Sequence, residues 1–348
     1  MQVRVDWRDL KAFTTEVFVK VGMPREDAEI EAEVLVWANL RGVDSHGVLR
    51  IPSYLASVER GGMNPKPNIR VEKETPATLL IECDHAFGPV VTVFAMRRVI
   101  EKARQVGIGW ALLRNTTHQG AMAYYALMAA EHDMAGIALV CSPPNMAPYG
   151  AKAPGVHNSP IALAVPGLEH RPLCLDMATS VAAGGKVSLA IDKGVPIPLG
   201  WAIDKDGNPT TDPKAVGALL PAGGYKGSGL AMMFECLSSV MANNPLVERR
   251  LLGNGTIPPG TQNSVVAALS IATLGDVTEY KQHIDRLIEG IKGLPKAEGF
   301  DEILVPGEYE DRIYIERQRD GIPLPEGTVE NLRQVANKLG VELPAFGS

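Results

Sequence analysis

The sequence predicts an α/β protein carrying a smaller helical lobe. As far as about residue 60, apolar residues recur at helical spacing with no strand-like run among them. Beyond residue 78, strand-length apolar runs alternate with helical stretches. Between the two, Gly61-Gly62 and Asn64-Pro65-Lys66-Pro67 break any regular structure. The tail from Thr328 to Leu339 reads as a last helix that packs back on the first ones. The expected division is therefore a helical lobe from 1–75 plus 310–348, and an α/β lobe over 76–309.

Taken in order, Trp7, Leu10, Phe13, Val17 and Phe18 form one apolar stripe, which predicts a helix over 7–20. Pro24 suits the first position of a second helix, and Glu26 and Asp27 favour the positive end of its dipole; Gly42 stops it after Leu40. A third helix over 48–58 puts Arg50 and Tyr54 on one face. A strand over 78–83, a helix over 90–105, a strand over 108–114, a helix over 119–132 and a strand over 137–141 then have the order and length of βαβ units. Ser142 to Asn158 is rich in Pro and Gly, and a loop of that length in a compact enzyme is more often functional than idle. Strands over 161–165 and 173–175 follow, then a polar excursion over 201–213. A helix over 230–241, a strand over 264–274, a helix over 277–291 and a strand over 303–305 complete the α/β part.

Composition narrows the function classes. Of 348 residues, 45% are hydrophobic and 21% charged, ordinary values that give no reason to expect disorder. The net charge is −6 and no Lys/Arg run exceeds a pair, which argues against nucleic acid as a partner, since tracking phosphates needs clustered cations. The leading Met-Gln-Val-Arg-Val-Asp-Trp-Arg-Asp has no apolar signal core and no apolar run reaches spanning length, so a cytoplasmic enzyme without membrane contact is expected. Cys83, Cys141, Cys174 and Cys236 are too scattered for a metal clip or redox pair, and no His-Glu-x-x-His occurs, so no metal site is expected.

The stretch richest in chemistry is Asp44-Ser45-His46-Gly47-Val48-Leu49-Arg50. Reducing a carbonyl next to a carboxylate needs an acid for the forming alkoxide, an orienter for that acid and a cation for the carboxylate. A surface turn closing a helix would look much the same. The Gly-rich run Gly223-Gly224-Tyr225-Lys226-Gly227-Ser228-Gly229 fits neither phosphate-loop signature: its Lys precedes its Gly, and the third Gly of a Gly-x-Gly-x-x-Gly is replaced by Met232. It reads either as an anion site at a helix N-terminus or as a flexible turn. Asp176 either accepts from ribose hydroxyls or caps the following turn, and His118 either faces a cofactor or is a polar cap. Lys186 reads as a solvated charge. A hydrolase with Ser45 as nucleophile is the reading from another class, but no Gly-x-Ser-x-Gly elbow surrounds it.

Five motifs in order resemble the type 2 malate/L-lactate dehydrogenase family, whose members include sulfolactate, ureidoglycolate, diketogulonate and piperideine-2-carboxylate enzymes. They are Asp-Ser-His-Gly-Val-Leu-Arg at 44–50, Asn-Thr-Thr-His-Gln-Gly-Ala at 115–121, Leu-Asp-Met-Ala-Thr-Ser at 175–180, Gly-Gly-Tyr-Lys-Gly-Ser-Gly-Leu at 223–230 and Pro-Gly-Glu at 306–308. The resemblance implies a non-Rossmann NAD(P)-binding fold of the malate/sulfolactate dehydrogenase type, NAD or NADP as cofactor, and a homodimer. It implies a small carboxylate substrate, a 2-oxo or 2-hydroxy acid, with a cyclic imino acid or ureidoglycolate as the alternative on the same scaffold. By position, Ser45 and His46 match the catalytic pair, and Arg50, with Tyr54 beside it, the substrate-binding residues. His118, Gly120, Ala121, Ser142, Asp176, Met177, Ala178, Lys226 and Gly227 match cofactor contacts, and Gly307 and Glu308 are carried over with them. The proton donor is expected to be His46, because Arg50 lies one helical turn away, with His118 as the second candidate. The chain departs from the family pattern at His157-Asn158-Ser159-Pro160, where many members read Gly-Thr-Asn-Pro, and at Ala151, where many have a second Gly. Where Lys186 stands, imine-reducing relatives tend to carry an Asp, which tilts the expectation toward a 2-oxo acid.

Overall fold

The computed structural model describes residues 3–347; residues 1, 2 and 348 of the expected helical lobe lie outside the described residues. The chain begins with β1 (Val3–Val5), α1 (Trp7–Lys20), α2 (Arg25–Leu40) and α3 (Ile51–Glu59), with two short 3₁₀ turns, Asp44–His46 and Val48–Arg50, between α2 and α3. Next come β2 (Arg70–Glu74), β3 (Thr78–Glu82), α4 (Gly88–Val106), β4 (Ile108–Thr116), α5 (Ala123–Ala130), β5 (Met134–Cys141), β6 (Ile161–Val165) and β7 (Leu173–Met177). After α6 (Gly184–Lys193) three short strands follow, β8 (Ala202–Ile203), β9 (Pro209–Thr210) and β10 (Ala218–Leu219), then α7 (Tyr225–Glu235), α8 (Leu246–Leu252) and β11 (Gln262–Ser270). The chain closes with α9 (Val277–Lys292), α10 (Glu308–Asp320), β12 (Ile322–Leu324), α11 (Glu326–Leu339) and β13 (Phe346–Gly347).

The first helices form where the apolar stripe put them. Asp6 caps α1 by accepting from the Arg8 amide, and Leu10, Phe13, Val17 and Phe18 are all buried. They meet Leu35 and Leu40 of α2, Ile51 and Leu55 of α3, and Val329, Leu332 and Val335 of α11 in one core. Each such side chain contributes about 1.5–3 kcal/mol by leaving water, which is what brings the C-terminal helix back to the first one. β1 runs antiparallel between β12 and β13 and stitches the two ends of the chain together.

The larger core is built on a seven-stranded sheet of order β2-β3-β4-β11-β5-β6-β7. β3 and β4 are parallel, joined by α4, whereas β11 runs antiparallel to both β4 and β5. Helices α4 and α5 cover one face through Val91, Met96, Ala123 and Tyr125, packed on Ile81, Leu113, Ala138 and Val266. On the other face Phe234 and Ala242 cover Leu112, Leu139 and Val265. Toward the β7 edge that second face is open: Leu163 and Leu175 stand opposite each other in the ladder and are both exposed.

Several expectations need correction. The strands over 108–114 and 137–141 do not pair; β11, from far along the chain, sits between them. β2 was not foreseen because Arg-Val-Glu-Lys-Glu has no apolar face, as suits an exposed edge strand. No strand forms over 303–305; the Pro306 carbonyl accepts one bond from the Cys174 amide of β7, and the segment then turns into α10. The helix expected over 119–132 starts at Ala123, because Gly120 takes a positive φ of 70°. The helix expected from Leu230 begins at Tyr225, so three glycines of the Gly-rich run are either its cap or inside its first turns, and its end widens into a π-turn over Cys236–Val240. α6 and α8 were also unforeseen, as was α10, which buries none of its residues and is supported by acids in its first turn and arginines in its last. Among the described residues, no helix is long and apolar enough to cross a membrane, and no group of three His, Cys, Asp or Glu side chains is placed to hold a metal ion.

Candidate active site

The Ser45-His46 turn is held by residues on both sides of it. Asn39, in the last turn of α2, accepts from the Val48 amide at 2.9 Å and donates to Asp44 Oδ1 at 2.7 Å. Arg317 of α10 grips the same Asp44 with both terminal nitrogens, at 2.7 and 3.1 Å. Gly47 is required by this packing, since a Cβ there would collide with the Asn39 amide. On that frame Ser45 Oγ and His46 Nδ1 lie 2.9 Å apart, and Arg50 Nε donates to the Ser45 carbonyl oxygen at 2.8 Å. The guanidinium is thereby folded back over the turn, which leaves its terminal nitrogens to serve as a fork.

His118 arrives from the other core, on the segment between β4 and α5. Its ring stacks on His46 with centroids 5.3 Å apart and planes 25° from parallel. Gly88, at the start of α4, allows this approach, because any side chain there would strike the His118 carbonyl. His118 Nδ1 accepts from the Gly120 amide at 3.3 Å and lies 2.5 Å from the Tyr54 hydroxyl. Tyr54, expected to face the substrate, thus directs its hydroxyl at His118.

The electrostatics follow from enclosure by protein and from one nearby cation. Desolvation, helped by the Arg50 charge, lowers His46 from its usual value to about 4. Desolvation holds His118 well below the ordinary imidazole range, with His46, Arg50 and His157 adding to the effect. His157 is itself pushed down to about 4 by burial. At neutral pH the site therefore presents neutral imidazoles beside one guanidinium.

The remaining motifs assemble around this centre. Asp176, at the end of β7, accepts from the Ala123 amide at the start of α5 at 2.8 Å, so it does cap a helix, though not the turn that follows it. Gly120 and Ala121 are buried just before that helix, and Met177 and Ala178 continue from Asp176. Gly227 packs α7 onto the Thr179 carbonyl, where a Cβ would not fit, and the Ala222 amide donates to the same oxygen at 2.9 Å. The 175–180 and 223–230 motifs are thus one packed unit. The amides of Gly224, Lys226 and Gly227 all bond back to residues 221–223, so what α7 offers an anion is its dipole and the exposed Lys226 ammonium.

The Pro-rich loop folds over on itself through an Asn145–Asn158 pair, and its tip at Tyr149 rests on Tyr225 and Ser228 of α7. Beneath it opens a cleft of about 320 Å³ lined by Pro144, Asn145, Pro154, Gly184, Val187 and Leu219. Gly184 of its lining is followed by Gly185, where a Cβ would stand 2.9 Å from that of Ser45. Ser142, at the mouth of the loop, donates to the Thr261 carbonyl oxygen at 3.4 Å. Gly307 and Glu308 stand at the start of α10. Gly307 caps α10 against Cys174, and the Glu308 carboxylate is held by Lys292 and Arg312.

The malate/L-lactate dehydrogenase family model matches residues 5–333. The chain belongs to the malate/L-lactate dehydrogenase family. It is 40% identical to L-sulfolactate dehydrogenase of Methanocaldococcus jannaschii, over 97% of each chain. It is 39% identical to malate dehydrogenase of Pyrococcus horikoshii, over 98% of this chain and 96% of that one. The solved sulfolactate dehydrogenase from M. jannaschii superposes with a TM-score of 0.86 at 38% identity, covering 99% of this chain and 98% of that one.

For this family member, sequence reasoning missed two supports of the turn, Asn39 and Arg317, and gave no role to His157, whose charge acts on His118. The first two act only through contacts with residues distant in sequence or across a turn, so no motif marks them. His157 left a signal, since it lies where the chain departs from the family pattern.

Proposed function

We propose that this enzyme interconverts a small 2-hydroxy acid and its 2-oxo acid using NAD or NADP. The observation that carries the reading is the placement of two neutral imidazoles, stacked 5.3 Å apart, beside the Arg50 guanidinium in a member of a dehydrogenase family. Arg50 binds the substrate carboxylate, two nitrogens to two oxygens. That fixes C2 of the substrate beside the imidazoles, so the hydroxyl proton has a short path to a ring nitrogen. In the tautomer this role requires, Nδ1–H donates to Ser45 Oγ, 2.9 Å away, and His46 keeps a bare Nε2 that takes the hydroxyl proton in oxidation and returns it in reduction. Binding the carboxylate also offsets the Arg50 charge, which raises the proton affinity of His46 when the reduction needs it.

The residues fit a dinucleotide. The exposed Lys226 and the α7 dipole suit a diphosphate, and Asp176 and Ser142 lie at the ends of β7 and β5. When bound, the nicotinamide accepts or supplies the hydride. Gly120, Ala121, Met177, Ala178 and Gly227 would shape its seat mostly through backbone. The open face at Leu163 and Leu175 is assigned to a second copy of the chain.

The test is a panel of 2-oxo acids, cyclic imines and ureidoglycolate, assayed with NADH and NADPH or their oxidised forms as the direction requires. Turnover confined to 2-oxo/2-hydroxy acids supports the reading and selects the cofactor. Turnover of imines alone, or activity without any nicotinamide, overturns it.

A further inference from the structure

His118 sits where a proton-transfer residue is expected, yet its surroundings give it a different task. Its Nδ1 meets two hydrogen-bond donors. The Gly120 amide can only donate, and Tyr54 places its hydroxyl 2.5 Å away. A nitrogen that accepts from a backbone N–H has no room for a proton of its own. The proton of the neutral ring is therefore on Nε2.

Tyr54 is well placed to hold this arrangement. It is 4% exposed, and its ring packs edge-on against Phe87 with centroids 6.1 Å apart, so the hydroxyl has little freedom. Burial pushes its phenol far above the ordinary range, with Glu31 adding to that effect and Arg50 opposing it, so the hydroxyl keeps its proton. Glu31 is itself fully buried with neither carboxylate oxygen hydrogen-bonded, and desolvation raises it well above the usual carboxyl range. The charged groups facing His118 are Arg50 and, when protonated, His46 and His157; all three oppose a second proton on the ring.

We propose that Tyr54 is a positioning residue that, together with the Gly120 amide, locks His118 as an Nε2–H donor to the substrate's carbonyl oxygen and leaves proton transfer to His46. The inference rests on the dehydrogenase reading above. In this arrangement the two stacked rings divide the work. His46 presents a bare Nε2 in the oxidation direction, and His118 presents an N–H that stays put while negative charge grows on the oxygen. Proton loss from His118 Nε2 would need a proton from Tyr54 at Nδ1 and would leave a buried phenolate, so the ring does not cycle.

Two kinds of measurement test this. Nitrogen NMR of the full-length protein with ¹⁵N-labelled histidine, with His118 assigned by its loss in His118→Gln, reads the tautomer without any turnover. The expected spectrum is a pure Nε2–H ring that does not titrate through neutrality, where an ordinary imidazole changes charge. In Tyr54→Phe the Nδ1 signal should shift and the second tautomer should appear. Turnover should fall on the order of tenfold, the size of one net hydrogen bond, with KM for the acid held near wild type because Arg50 is untouched. His118→Gln, which keeps an N–H at the Nε2 position, should retain most of the turnover that His118→Ala loses.

A proton on Nδ1 in the wild-type protein overturns the proposal. So does a Tyr54→Phe variant with the wild-type tautomer and turnover, or a His118→Gln as inactive as His118→Ala. If no 2-hydroxy acid is turned over at all, the NMR result still decides the tautomer, so failure of the lock and failure of the substrate reading are told apart.

Discussion

At the residue scale, the proposed proton chemistry turns on His46 and Arg50. His46→Ala should lower turnover about a hundredfold or more, the range a general acid or base contributes, while cofactor binding by fluorescence titration stays at wild type. Near-normal turnover would remove His46 from its role. The pH dependence has a definite sign. A base works in its unprotonated form, and His46 is depressed to about 4, so kcat/KM for hydroxy acid oxidation should stay level through neutrality and fall only as the pH approaches that value. Arg50→Met removes one of the two causes of the depression, so its acid limb should move to higher pH. Arg50→Lys should raise KM for the acid by about tenfold or more, because a single ammonium cannot replace a planar fork. An unchanged KM would show that the carboxylate binds elsewhere. At this scale much of the site was legible, since Ser45, His46 and Arg50 are neighbours in the chain and their chemistry is a property of residue type. The aim of the Tyr54 hydroxyl was not, because it depends on where another segment puts His118.

The element that matters most is the pair of 3₁₀ turns between α2 and α3. Its shape comes from Asn39 and Arg317 clamping Asp44 and Val48, which ties α10 to the Ser45-His46 turn although no α10 side chain is buried. Gly47→Ala should force Asn39 out of its place. A loss of about 1–3 kcal/mol in stability, typical of overpacking, is expected in thermal melts, along with a lower kcat. Wild-type values for both would mean that Asn39 yields without consequence. Helices with a clear apolar stripe, such as α1 and α11, were readable from periodicity. α10 and β2 were not, since a surface helix and an edge strand bury too little on one side to leave a period.

Over the whole molecule, the open row on the sheet sets the expected assembly. Ile137, Leu163 and Leu175 lie in register across β5, β6 and β7, and Leu163 and Leu175 are exposed. Replacing both Leu163 and Leu175 by Glu should convert a dimer into single chains on sedimentation, since two carboxylates cannot be buried unpaired in an apolar seam. A dimer that survives the double change would place the interface on another face.

The sequence by itself determined which residue types are at hand for the proposed chemistry, the apolar helices that bury the first core, and the ordered motifs that mark the family. Each of these is local, set by side-chain identity and spacing within a turn or two. Only the tertiary structure decided that β11 divides β4 from β5, that His118 stacks on His46, and that Tyr54 turns to His118. Those are pairings between segments far apart in the chain, chosen by packing and hydrogen bonding in three dimensions, and no local period encodes which distant partner a segment will meet.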